Sequence, residues 1–241
     1  MHAVEALISA ADVTGEDIWL DRALGISERM IHDFARPNNY RVYEHFDEHW
    51  TPLPDYNRDN PSQPFRAFGS TPGHWSEWAR LLLHIRAGLM ARGRTAPGWL
   101  LEDAESLFNA MIRDAWTVDG NSGIVYSVDW DGKPVVRSRL RWSITESIAA
   151  SAALEAATGK DVYAEWYERF WDWARDHLMD YQNGSWWHEL SLENKPSSDV
   201  WSGKPDIYHL LNALVVTRAP LAPALAPALA SGLLDVRRPI L

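Results

Sequence analysis

Apolar side chains recur at three- and four-residue spacing through most of this sequence. That period belongs to helices that bury one face. It predicts a short helix over Ala3–Ala11 and a longer one over Glu16–Phe34. It returns over Gly73–Ala91, where Trp75, Trp78, Leu81, Leu82, Ile85 and Leu89 form a stripe. Further helices are predicted from Pro97 through Ala115, over Trp142–Thr158 with Gly159 as its stop, over Val162–Leu178, and over Asp206–Thr217.

Between these stretches lie segments too long to be turns. Ala35–Pro72 carries prolines at 37, 52, 54, 61, 64 and 72. Proline removes a donor and keeps the preceding residue out of helix, so this is loop, with an extended piece at Tyr40–His45. A loop this long in a compact domain is usually functional. Gly120–Arg137 reads as a hairpin turning at Asp131-Gly132. Asp180–Pro205 is a second loop or hairpin region, and Pro220–Leu234 repeats Ala-Pro-Ala-Leu as a short, proline-broken helix with no chemistry assigned. No linker divides the chain, so the expectation is one all-α domain over residues 1–241. If antiparallel helix pairs stack side by side, the first, third, fifth and seventh helices run parallel and share a rim. Pairs that close on themselves give an α/α barrel or toroid; a helical solenoid is the alternative.

Composition removes several functions. The net charge of −10 repels polyanions, so neither nucleic acid nor an anionic membrane is an expected partner. No apolar run approaches the ~20 residues of a membrane span. There is no cysteine, which rules out disulfides, thiolate metal sites and cysteine nucleophiles. With no basic, apolar leader at Met1–Glu5, the expectation is a cytoplasmic protein. The 14 tryptophans supply core volume or sugar-stacking faces, and the count alone does not choose.

Ionisable or polar groups recur in the first turns of the helices expected to share a rim: His2 and Glu5, His74 and Glu77, Trp142 with Glu146, and His209. Helix N-termini carry roughly +0.5 charge, which lowers a nearby histidine pKa and stabilises a developing oxyanion. Such a rim suits proton transfer beside a carbonyl. His32, His84 and His177 read as ordinary helix residues, while His45, His49 and His188 lie in loops and read either way. Glu77 shares a face with His74, as Glu5 does with His2. The plain reading is a capping glutamate; for Glu77 a role in the site is favoured, for Glu5 the two readings balance. A metal centre is disfavoured. The His-x-x-Glu order reverses the Glu-x-x-His of di-iron bundles, and there is no His-Glu-x-x-His. Neither a phosphate loop nor a Gly-x-Ser-x-Gly elbow occurs.

The stretch Phe65-Arg66-Ala67-Phe68-Gly69-Ser70-Thr71-Pro72-Gly73-His74-Trp75-Ser76-Glu77-Trp78-Ala79-Arg80-Leu81-Leu82-Leu83 resembles the hallmark segment of the N-acylglucosamine 2-epimerase superfamily. Further resemblances follow in order at Met1–Ala6, Val128–Pro134, Arg141-Trp142 with Glu146, Ser185–Leu190 and Gly203–His209. Within the superfamily the wording is most similar to the bacterial mannose isomerases, notably at Glu44–Asp47, Asp55–Asn57 and Trp201–His209. The resemblance implies an (α/α)6 barrel with its site in the central cavity. It also implies cofactor-free and metal-free interconversion of D-mannose and D-fructose, or a similar aldose–ketose pair, through a cis-enediolate. By motif position it makes His74 and His209 the acid–base pair. His2, Glu77, Trp142, Glu146 and Arg66 become sugar-binding residues, with a monosaccharide as partner. His209 is favoured for ring opening and His74 for the C1/C2 transfer.

One departure is large: family members carry several more helices ahead of the His2 motif. Seven or eight helices do not close a double ring of six, so an incomplete, C-terminal portion of the barrel is expected, inactive and poorly soluble by itself. Arg141 stands where related isomerases often carry another residue, which bears on specificity. The competing functions are an N-acylglucosamine or cellobiose-type 2-epimerase and an inactive carbohydrate-binding remnant.

Overall fold

The structure is a computed structural model that describes residues 1–204 and 206–234. Pro205, part of the Gly203–His209 motif, lies outside the described residues. Helix α1 spans His2–Thr14 and α2 spans Asp17–Ser27. The apolar stripe of α2 continues into a wider π-type turn at Glu28–Ala35 and a short 3-10 turn at Arg36–Asn38, where the periodicity predicts unbroken helix to Phe34. The long loop follows. Tyr40–His45 forms no strand; an isolated bridge pairs Phe46 with Pro52, and Ser70 Oγ donates to the Val42 carbonyl at 2.6 Å.

Helix α3 spans Pro72–Ala91, with Pro72 in its first turn, where the missing N–H costs nothing. Helix α4 spans Trp99–Ala115 behind Gly98 as N-cap, so Pro97 precedes the helix rather than opening it. The predicted hairpin is present, with β1 (Ser127–Val128) antiparallel to β2 (Pro134–Val136). A second antiparallel pair joins β3 (Arg139–Leu140) to β4 (Glu189–Leu190) and tethers the 180–205 region. Helix α5 spans Arg141–Thr158 and ends at Gly159, whose φ of 68° is the left-handed cap that glycine adopts without cost. Helix α6 spans Asp161–Trp173 and runs into a π-type turn at Ala174–Leu178. Helix α7 spans Tyr208–Val215, starting two residues later than its pattern predicts. A helix α8 at Leu225–Ala230 lies within the proline-broken tail.

Helices α1, α3, α5 and α7 are successive neighbours, and α2, α4 and α6 pack outside α1, α3 and α5. Helices α3 and α5 are buried on nearly every side because each has a neighbour on both flanks and one behind. The row is curved rather than straight, since Tyr208 of α7 hydrogen-bonds Glu5 of α1 across its open side. That curvature favours a ring over a solenoid. One apolar cluster runs through these helices, and a smaller one of Ala67, Tyr126, Val136, Leu140 and Val200 lies under the loops. At the edge of the row, Leu211 and Leu214 of α7 stay 52% and 43% exposed. Among the described residues no helix is long and apolar enough to cross a membrane.

Candidate active site

The shared rim of α1, α3, α5 and α7 encloses a cavity of about 530 Å³. His2, His74, Glu77, Trp142, Tyr208 and His209 line it from the helix starts. Glu44, His45, Phe65, Tyr126, His188, Trp201 and Asp206 line it from the loops.

Two histidines are mounted alike. His74 stands in the first turn of α3, and its Nδ1 lies 2.9 Å from Glu44 Oε2. The other oxygen of Glu44 accepts the Thr71 amide at 3.1 Å, so the carboxylate is fixed to the start of the helix it serves. His209 stands in the first turn of α7, with its amide donating to Asp206 Oδ1 at 3.2 Å and its Nδ1 2.9 Å from Glu146 Oε1. An acceptor-only carboxylate at Nδ1 assigns the proton there and leaves Nε2 for a ligand. Trp142 lies between the two rings, with centroids 4.9 Å from His74 and 5.7 Å from His209.

The electrostatics separate these groups. Burial opposes protonation of His74, but the charge of Glu44 and its hydrogen bond outweigh it and raise the pKa. Burial likewise opposes protonation of His209, and the bond to Glu146 overrides it upward. His2, without a bonded carboxylate, is pushed down by burial and by His74. Glu77 is fully buried one turn beyond His74, and neither of its oxygens has a hydrogen-bond partner; His2 Nδ1 is 3.5 Å away. Burial first, then the negative charge of Glu146, pushes its pKa up to about 7. Glu146 goes the other way: burial is outweighed by Arg80 and His209, which hold it well below the usual carboxylate range.

Among the described residues two groups could offer ligands to a cation, His2 with Glu5 and Glu77, and Glu77 with Glu146 and His209, each with donor atoms within 4.8 Å. In the first group only Glu5 is engaged, and in the second Glu146 and His209 are; Glu77, shared by both, has no hydrogen-bond partner. Glu146 binds His209 through one oxygen and Arg80 through the other, while Glu5 binds Arg80 and Tyr208. A cation drawing on Glu5 or Glu146 would have to compete with these partners.

Of the sequence-predicted residues, His2, His74, Glu77, Trp142 and His209 come together on the cavity. Glu146 lies one layer behind, as the partner of His209 rather than a wall of the cavity. Arg66 is exposed on the long loop, 3.5 Å from Tyr56 Oη, outside the lining set. Among the undecided histidines, His45 and His188 line the cavity, stacked on Tyr56 and Trp201, and His49 is exposed beside Glu48. His32 binds Asp103 at 2.8 Å, His84 binds the Leu221 carbonyl at 2.8 Å, and His177 packs on Trp173, all ordinary structural roles. Glu44, Tyr208 and Asp206 were not singled out as site residues from sequence; a carboxylate in an aperiodic loop carries no spacing signal.

The sequence pattern of N-acylglucosamine 2-epimerase (GlcNAc 2-epimerase) matches residues 1–213. The chain is 53% identical over 230 residues to a D-mannose isomerase of Pseudomonas cannabina pv. alisalensis, covering 95% of this chain and 56% of that protein. It is 46% identical over 232 residues to a D-mannose isomerase of Thermobifida fusca, covering 96% and 56%. A crystal structure of D-mannose isomerase superposes with a TM-score of 0.78 at 31% identity, over 87% of this chain and 52% of that one. A sugar epimerase from a ruminal bacterium, at 16% identity and a TM-score of 0.68, shares the fold. The chain thus spans about half the length of the relatives it matches, and its helical rows are part of their (α/α)6 barrel. By pattern, sequence and fold together, the chain belongs to the N-acylglucosamine 2-epimerase family.

Proposed function

We propose that this chain, read as one domain, is the acid–base portion of a sugar isomerase that interconverts D-mannose and D-fructose. The observation that carries this reading is the pair of carboxylate-mounted histidines facing one cavity across Trp142, with the unpartnered Glu77 beside them.

The chemistry follows from the mounts. His209, with its raised pKa, retains a proton to give to the ring oxygen and takes the hydroxyl proton from O1, opening the ring. Glu44 makes His74 a stronger base, which removes the proton from C2. The C2–H electron pair becomes the C1=C2 bond of a cis-enediolate, and the carbonyl pair moves onto O1. Glu77, poised near pH 7, carries the O2 proton to O1, and His74 returns its proton to C1. Trp142 offers an apolar face to the sugar. His2, kept neutral by its lowered pKa, is a hydrogen-bonding partner for a hydroxyl. No step requires a cofactor or a metal, and the reading places the enzyme in the cytoplasm.

A 2-epimerase is the second reading, favoured by the same histidines, which would then return the proton to C2. The test is to incubate D-mannose, N-acetyl-D-glucosamine and cellobiose with residues 1–241, and with a chimera carrying the N-terminal half of a D-mannose isomerase. Fructose from mannose supports the isomerase. C2-inverted product without fructose supports the epimerase, and sugar binding without turnover in both proteins supports a binding remnant.

A further inference from the structure

Helix α7 is a weak platform for an acid–base group. It is eight residues long, exposes Leu211 and Leu214, and packs among the inner helices chiefly on α5. Yet it delivers His209 to the cavity. What holds its first turn is a buried cation on α3. Arg80 is 2% exposed and sits one turn beyond Glu77, beneath the cavity. Its Nε and Nη2 donate to Glu146 Oε2 at 3.2 and 3.1 Å, and its Nη1 donates to Glu5 Oε1 at 3.1 Å. Each of these carboxylates uses its other oxygen on α7: Glu146 Oε1 binds His209, and Glu5 Oε2 accepts the hydroxyl of Tyr208.

One guanidinium therefore fixes two consecutive residues of α7 through two carboxylates, one on α1 and one on α5. We propose that Arg80 is a positioning residue that sets the orientation of His209 by clamping the first turn of α7. This deepens the assignment of His209 as an acid–base group and rests on it. Only arginine suits the task, because its planar fork reaches carboxylates on two sides while lysine is a point charge. The titratable groups that face Arg80 are Glu5 from α1, Glu77 and His84 from α3, Glu146 from α5 and Tyr208 from α7. Its charge lowers the proton affinity of both Glu77 and Glu146.

The experiment separates the charge from the fork. Arg80→Met and Arg80→Lys are compared with the unchanged protein by carbon NMR titration of glutamate carboxyls and by amide hydrogen exchange. In Arg80→Met, Glu77 and Glu146 should titrate about 1–3 pH units higher, the span for losing an adjacent opposite charge. The amides of Leu211 and Asn212 should exchange about tenfold faster or more, as expected for losing hydrogen bonds to charged groups. Arg80→Lys should restore the carboxyl titrations but leave α7 exchange fast. Unchanged α7 exchange in a folded Arg80→Met protein overturns the proposal, as do unchanged carboxyl titrations. If Arg80→Met does not fold, Glu5→Gln removes the outer arm alone. It should speed exchange in α7 and not in α5, and equal exchange in both helices overturns the clamp. These readings need no sugar turnover, so absent isomerase activity would count against the functional reading and not against the clamp.

Discussion

The indole of Trp142 occupies the space that a Cβ on Gly73 would need: an added methyl would overlap the ring and come within 2.7 Å of Ser143 Oγ. Gly73 precedes His74, and Trp142 stands between His74 and His209, so this close approach of α3 to α5 sets the geometry of the whole site. Gly73→Ala is expected to leave the helices formed, cost about 1–3 kcal/mol from overpacking and turn Trp142 out of its seat. Chemical denaturation and tryptophan emission check this. A variant as stable as the parent, with unchanged emission, would contradict it.

Removing either mounting carboxylate should weaken its histidine as a base. Glu44→Gln is expected to lower the His74 titration midpoint, and Glu146→Gln that of His209, by about 1–3 pH units. The sign follows from the cause, since both pKa values are raised by their carboxylates against the opposing effect of burial. Proton NMR of the imidazole rings reads each midpoint directly. A midpoint that stays or rises would mean that another group sets it.

Glu77 makes stability depend on pH in a defined window. Its folded pKa of about 7 lies above the ordinary 4.5, so the folded state binds more protons between those values. Its contribution to stability therefore falls as pH rises from about 4.5 to 7 and is level beyond. Glu77→Gln should gain stability relative to the parent across that window. Urea melts of both proteins at pH 5, 6, 7 and 8 give the difference curve, which cancels opposing contributions such as that of His84, held at about 4 by burial. Parallel curves would exclude an ionisable, unpartnered Glu77.

Replacing either histidine should remove most turnover in an active form of the enzyme. His74→Ala and His209→Ala are each expected to lose on the order of 10²–10⁴-fold, the contribution of a positioned acid or base. Dialysis against EDTA should leave turnover unchanged, because Arg80, Tyr208 and His209 already occupy the oxygens of Glu5 and Glu146. Loss of activity restored by Mn²⁺ or Zn²⁺ would overturn the metal-free account.

The rim was legible because helix starts announce themselves. Pro72-Gly73-His74 and Arg141-Trp142 fall where the periodic pattern begins, and side-by-side packing puts such starts at one end. Glu44 was not legible as a site residue. It lies in a loop without a period, and its path to His74 is fixed by tertiary bonds from Thr71 and Ser70. Arg80 sits on the buried stripe of α3, where a charge reads as an outlier until Glu5 and Glu146 arrive from other helices. Arg66 came from the resemblance alone, and in this loop conformation it points to Tyr56. The π-type turn at Glu28–Ala35 escaped because its buried side, Ser27, Ile31 and Ala35, recurs every four residues, a spacing that an α-helix also shows.

The account turns on His74 moving a proton between C2 and C1. Proton NMR of D-mannose turnover in D₂O tests that directly, with a chimera carrying the N-terminal half of a D-mannose isomerase and with the same chimera bearing His74→Ala. The account predicts D-fructose carrying deuterium at C1 or the original C2 proton transferred there, and fructose formation about 10²-fold slower or more with His74→Ala. Deuterium appearing at C2 of an aldose without fructose, or fructose formed equally by His74→Ala, would contradict it.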